Sequence, residues 1–194
     1  SKNVLDTSIV TATTLEDTAK LVGLFTQTQG LTGEQAENLL ISTTALANAN
    51  NVAPDKVLAD VAQNTEFFAK FAQDGGENIL RASIQARKLG LDLQKVATVS
   101  NSLLDFQSSL NNEITASVML GRDINLQKAR ELALNNDIEG AMVEVVKQVG
   151  SEAEFNKLNA LERQALADAV GLQVGDIQKL VNKEKESVTL ASEL

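Results

Sequence analysis

Apolar residues along this chain recur mainly at intervals of three and four, the period of an amphipathic helix, and the count restarts wherever glycine or asparagine interrupts it. Leu15, Ala19, Val22 and Phe25 form the first stripe, with Thr14 placed as its N-cap and Asp17 three residues on. In "QGLTGEQ", Thr32 and Gln35 have the spacing of a capping box that opens a second helix. The break "NANNVAPDKV" follows, combining Asn, which tolerates left-handed backbone, with Pro54, which suits a first helical turn. Beyond it, Leu58, Val61, Thr65, Phe68 and Ala72 make the most heptad-like stripe of the chain.

The strongest breaker is "QDGGEN", Gln73 to Asn78, because paired glycines cost helix stability and permit positive φ; it is the expected joint between two helical parts. A helix carrying Arg87 and Lys88 near its C-terminus then ends at Gly90, and Asp92 caps a new start. In "SLLDFQSSLNNEITASVMLG" the stripe is Leu103, Phe106, Leu110, Ile114 and Val118, with Asp105, Ser109, Asn112 and Glu113 on other faces and Gly121 as the stop. That stripe is expected to interlock with neighbouring helices. Asn125 and Asp137 precede shorter helices, the second carrying Ile138, Met142, Val145 and Val149 before Gly150. Capping boxes are read at Ser151 with Glu154 and at Asn159 with Glu162, and a short helix around Ile177 to Val181 leads into charged sequence. Only "SKNVLDTSIVTATTL", rich in Thr and β-branched residues, reads as extended or irregular.

These signals predict an all-α array or bundle of short amphipathic helices with Gly- and Asn-terminated connections and an irregular N-terminal stretch. The expected parts are an irregular segment 1–13, an N-terminal helical part 14–74, a C-terminal helical part 75–183 and a charged tail 184–194. Stop, apolar residue, cap and new start recur in "NNVAPDKVL", "LGLDLQKVA" and "VGLQVGDIQKL" without a fixed period, which argues against a solenoid.

Composition sharpens the fold class and removes much chemistry. Aromatic residues are 3% of the 194, with no Trp or Tyr, so the core must be Leu, Val, Ile and Ala, a palette suited to helix against helix. Single Pro54 leaves helices uninterrupted elsewhere. A net charge of −9, with no clustered Lys and Arg, argues against nucleic acid as a partner. Without His or Cys the chain contains no Ser-His-Asp triad, no Cys-His pair and no HExxH zinc site. No apolar run approaches the roughly 20 residues of a membrane-spanning helix, and no signal peptide is read; Ser1 in place of Met fits an excised or processed piece. Carboxylate-only chemistry stays formally open. Its one pairing worth testing, Glu186 with Ser187, reads as a solvated helix end. The aromatic cluster Phe67, Phe68 and Phe71 reads first as a broad buried face; Phe67 and Phe71, lying together beside the main stripe, are the candidate partner contacts. No catalytic residue, cofactor or metal site is expected, and the chain is read as not an enzyme.

At "NTEFFAKFAQDGGENILRASIQARKLGLDLQKVA" and again at "LLDFQSSLNNEITASVMLGRDINLQKARELALNNDIEGAMVEVVKQVG", the sequence resembles phage tail tape measure proteins, over a span from about Leu39 to Gly171. The resemblance implies a structural virion protein of the tail-tube lumen, present in the host cytoplasm during assembly, whose length sets tail length. It implies as partners other copies of itself, tail-tube and tail-tip proteins and assembly chaperones. Some relatives carry peptidase or transglycosylase domains, and nothing matching those motifs occurs here. A ruler made of one unbroken helix of this length would span roughly 290 Å at 1.5 Å per residue. The frequent stops instead predict short helices folding back to a radius of gyration near about 16 Å. The residues are therefore expected to form a folded helical region of a longer tape-measure-like chain, not its extended ruler.

Overall fold

The computed structural model describes the backbone of residues 2–193 and the side chains of residues 3–183. Among the described residues there are thirteen α-helices, one 3-10 turn and no strand, so the all-α expectation holds. The chain divides into two units, the first comprising 1–88 with 92–94 and the second 89–91 with 95–194.

In the first unit the helices are α1 (Lys2–Thr11), α2 (Leu15–Gln29), α3 (Gly33–Ala49), α4 (Pro54–Gln63), α5 (Thr65–Phe71) and α6 (Glu77–Lys88). The N-terminal stretch expected to be irregular is thus helical. Its β-branched and hydroxylated residues are accommodated because Thr11 and Ser8 donate their hydroxyls back to the carbonyls of Thr7 and Leu5, and because α1 packs on α2 and α3. Caps read from sequence are in place: Thr14 accepts from the Asp17 amide, and Thr32 and Gln35 exchange both bonds of their box. The inward face of α2 is Thr18, Leu21 and Phe25; of the expected stripe Phe25 is buried, Val22 is half-buried, and Leu15 and Ala19 are exposed. The long stripe through Leu58 and Phe68 is split at Asn64, where α4 ends and α5 begins.

"QDGGEN" is a packed turn within this unit, and the division of the chain lies further on, around residues 88–95. Asn78 clamps the turn from both sides, accepting from the Gln73 amide at 2.8 Å and donating to the Phe71 carbonyl at 2.9 Å. Gly76 has a φ of 94°, and a Cβ there would collide with the ring of Phe68. That ring in turn packs on Phe25 with centroids 5.2 Å apart. Gly76 therefore serves close packing under an aromatic ring.

The second unit contains α7 (Leu93–Leu104, its first two residues counted with the first unit), α8 (Phe106–Leu120), α9 (Gln127–Leu134), α10 (Ile138–Val149), α11 (Glu152–Lys157), α12 (Ala160–Val170) and α13 (Val174–Glu193). Both boxes predicted for α11 and α12 are formed, at Ser151 with Glu154 and Asn159 with Glu162. Helix α13 continues to Glu193, so the backbone of the charged tail is helical as far as that residue. The side chains of Glu186 and Ser187 lie outside the described residues. Helix α8 packs most extensively on α12 and α9 on α10, while α11 and α12 both reach α13. Ile124, Leu126, Met142, Phe155, Leu166 and Ile177 are among the side chains excluded from solvent.

Candidate interaction surface

Phe67 and Phe71 face each other at a ring separation of 4.8 Å and are 6% and 2% exposed. They fulfil the buried-face reading and offer nothing to a partner in this fold; the aromatic cluster is core. Nor is "RASIQARK" a free basic patch. Arg81 pairs with Glu77 at 2.7 Å. Arg87 directs Nε, at 2.8 Å, and Nη2 to the two carboxylate oxygens of Asp60, which also accepts from the Leu93 amide at 3.4 Å. The hydrogen bond to Asp60 raises the Arg87 pKa above its ordinary value, so the guanidinium stays charged across any accessible pH. Among the described residues no group of acidic side chains is arranged to hold a metal ion, and no helix is long and apolar enough to cross a membrane.

The unusual surface is on α8. Its expected inward stripe is turned outward: only Leu103, at the end of α7, is buried, while Phe106, Leu110, Ile114 and Val118 are 47%, 45%, 61% and 77% exposed. What α8 buries is small or polar. Ser109 and Ala116 are excluded from solvent on the opposite side of the helix, and Asn112, Glu113 and Ser117 are partly so. Two causes fix this orientation.

The first is steric. Ser109 and Ala116, the two residues that α8 buries fully, are small, so little side-chain bulk stands between α8 and the helices it packs on, α12 above all. Large side chains on that seam would hold the helices apart. Asn112 adds a bond across it, donating to the Asp168 carbonyl at 3.2 Å.

The second is electrostatic. Glu113, the sole charged residue among the fifteen of α8, points inward. One of its carboxylate oxygens accepts from Arg130 Nη1 at 2.8 Å and from the Leu126 amide, also at 2.8 Å. The same Arg130 nitrogen donates to Ser109 Oγ at 3.0 Å. Ser117 Oγ accepts from the Ile124 amide at 2.9 Å, so the loop into α9 is fastened to the inner face of α8. A buried arginine cannot be left without its carboxylate except at high cost, so the pairing of Glu113 with Arg130 keeps that side of α8 inward.

The outward face that results is a continuous i, i+4 ridge, flanked by a second row consisting of Gln107, Asn111, Thr115 and Met119. It is apolar, carries no charge over four helical turns, and is the largest grouping of exposed apolar side chains on a single helix among the described residues. A smaller version occurs on α1, where Thr7, Ser8 and Thr11 are buried and Leu5, Ile9 and Val10 are exposed.

In comparisons with known proteins, no family model, no curated protein and no solved structure matches the chain.

The ridge residues were all visible in the sequence, but assigned to the inside. The signal against that assignment was the parallel series Ser109, Asn112, Glu113 and Ala116, which has the same helical period in small and polar types. Period alone cannot say which of two opposite faces is buried.

Proposed function

We propose that this chain is a non-enzymatic, structural helical segment of a phage tail tape-measure-like protein, acting in tail assembly and length determination through helix packing and partner contacts. The observation that supports it best is the exposed apolar ridge of α8, which lies within Leu103 to Gly150, the longer of the two stretches carrying the resemblance. A virion component that works by contact needs a surface for contact, and contiguous apolar patches are where monomeric proteins meet partners. On this reading its partners are other copies of itself, tail-tube and tail-tip proteins and assembly chaperones, and its place is the tail-tube lumen after a passage through the host cytoplasm. The many short helices favour a folded section of the longer chain; at 1.5 Å per residue even the 20 residues of α13 span only about 30 Å.

Mass spectrometry of purified tails from the phage that encodes the chain tests the assignment. Peptides from both units are expected in intact tails at the stoichiometry of the tape measure. Their absence from tails, with the protein abundant in the infected cell, would leave the runner-up, a general helical protein-binding or scaffold module, which the same ridge would serve. An in-frame deletion separates the folded section from a ruler: tail length is unchanged for the first and falls by about 1.5 Å per deleted residue for the second.

A further inference from the structure

We infer that the α8 ridge is a self-association surface: two copies of the chain pair through Phe106, Leu110, Ile114 and Val118 about a two-fold axis near Leu110 and Ile114. This deepens the proposed function, which counts other copies of the chain among its partners, by naming the surface that pairs; it rests on geometry, charge and area, and its test is independent of the tail assignment.

The geometry comes from the spacing. Residues four apart form a ridge inclined to the helix axis, and the ridge beside Gln107, Asn111 and Thr115 leaves a groove parallel to it. Ridges of this class on two identical helices interdigitate at a crossing angle near about −50°, the commonest packing between helices. A contact in which each copy supplies the same ridge and the same groove is self-complementary and closes as a dimer.

Charge selects the occupant. The chain carries a net charge of −9, so two copies repel each other wherever carboxylates face outward. The α8 face is without that penalty, because its one carboxylate, Glu113, is turned inward onto Arg130. Its flanking side chains Gln107, Asn111 and Thr115 are neutral and hydrogen-bond equally well with their own kind. A basic partner helix would find no complementary charge here.

The area is sufficient. Five side chains (the ridge and Met119) are on average about half exposed, and at roughly 200 Å² for a large side chain they offer on the order of 500 Å² per copy. Two copies would remove about 1,000 Å² from water before the neutral flanking residues are included, which is about the least a biological interface needs and belongs to a weak dimer, below the roughly 1,200–2,000 Å² of stable complexes.

The test is the mass of the full chain in solution. Sedimentation equilibrium at about 100 μM is expected to give a dimer, twice 20.7 kDa. Ile114→Glu, or Leu110→Glu as a second variant, places like charges across the axis and is expected to raise the dimer Kd at least about a hundredfold. Helicity by circular dichroism should be unchanged, because both positions are exposed. Ile114→Lys should do the same, and mixing the Glu and Lys variants should restore a dimer containing one of each. Ile9→Glu on the exposed face of α1 should leave pairing intact. Since the chain has no cysteine, Ile114→Cys introduces a unique thiol, and a short bismaleimide should link two copies. A wild-type monomer at this concentration overturns the inference. So does a dimer that persists in both Glu variants, one that Ile9→Glu disrupts equally, or Glu and Lys variants that fail to pair.

Discussion

Replacing Glu113 by Leu tests whether a buried charge sets the orientation of α8. The substitution removes the partner of Arg130, whose side chain is only 9% exposed, and frees the Leu126 amide at the start of α9. An unpaired buried charge costs about 3–5 kcal/mol. The orphaned amide adds about 1 kcal/mol or more unless water reaches it. Ser109 Oγ remains as a neutral acceptor for the guanidinium and offsets part of this, so about 3–4 kcal/mol is the net expectation. For a unit of about 100 residues each kcal/mol lowers Tm by roughly 4–6 °C, giving a fall of about 12–24 °C. Urea unfolding followed by far-ultraviolet circular dichroism measures the free energy. The double variant Glu113→Leu with Arg130→Leu supplies the control: with both charges gone, at least half of the lost stability should return. A single-variant cost below about 1 kcal/mol, or a double variant as damaging as the sum of the singles, would refute the claim that this ion pair holds the polar face inward.

In the first unit, Arg87→Ala should destabilise by about 3 kcal/mol, because it strands the more buried Asp60 carboxylate without its cation, and Asp60→Ala by less, because the Arg87 it leaves is partly exposed to water; chemical denaturation ranks the two. Gly76→Ala combines positive φ with a collision against Phe68 and should cost about 3 kcal/mol, while Gly121→Ala, which meets open space at a φ of 64°, should cost about 1 kcal/mol; equal losses would show that the ring contact is unimportant. The Glu154 carboxyl is held below its ordinary value of 4.5, chiefly by the hydrogen bond from the Ser151 amide and then by the Ser151 hydroxyl. A lowered carboxylate pKa adds stability above the unfolded value and loses it as pH falls through the folded one. The stability difference between wild type and Glu154→Gln should therefore be constant near neutrality and shrink as the pH drops below about 4.5, as thermal melts across that range would record.

Much of the fold was legible because helix ends are chemically local. Thr14, Thr32, Asp137, Ser151 and Asn159 each bond an amide two or three residues ahead, so their role depends on sequence neighbours alone. Gly90, Gly121 and Gly171 take the left-handed backbone expected of helix stops, and Asn51 takes it in "NANNVAP". Helix α1 was missed because β-branched and hydroxylated residues score poorly when isolated; its Thr and Ser hydroxyls are satisfied by the preceding turn, and packing supplies the rest. The glycine pair reads as a joint in sequence because the ring that packs on Gly76, Phe68, comes from another helix.

By itself the sequence determined that this is a stack of short helices, where most of them start and stop, and that histidine and cysteine chemistry is absent. Those conclusions rest on contacts within about one helical turn and on which atoms the chain contains. The stripe read on α10 (Ile138, Met142, Val145 and Val149) is the face it buries, whereas for α8 only the tertiary structure decided which face turns inward. That choice belongs to partners far apart in the chain: Ser109 and Ala116 of α8 packed toward α12, and Glu113 bonded to Arg130. An amphipathic period is symmetric under exchange of inside and outside until a second helix arrives with a shape and a charge to match one of them.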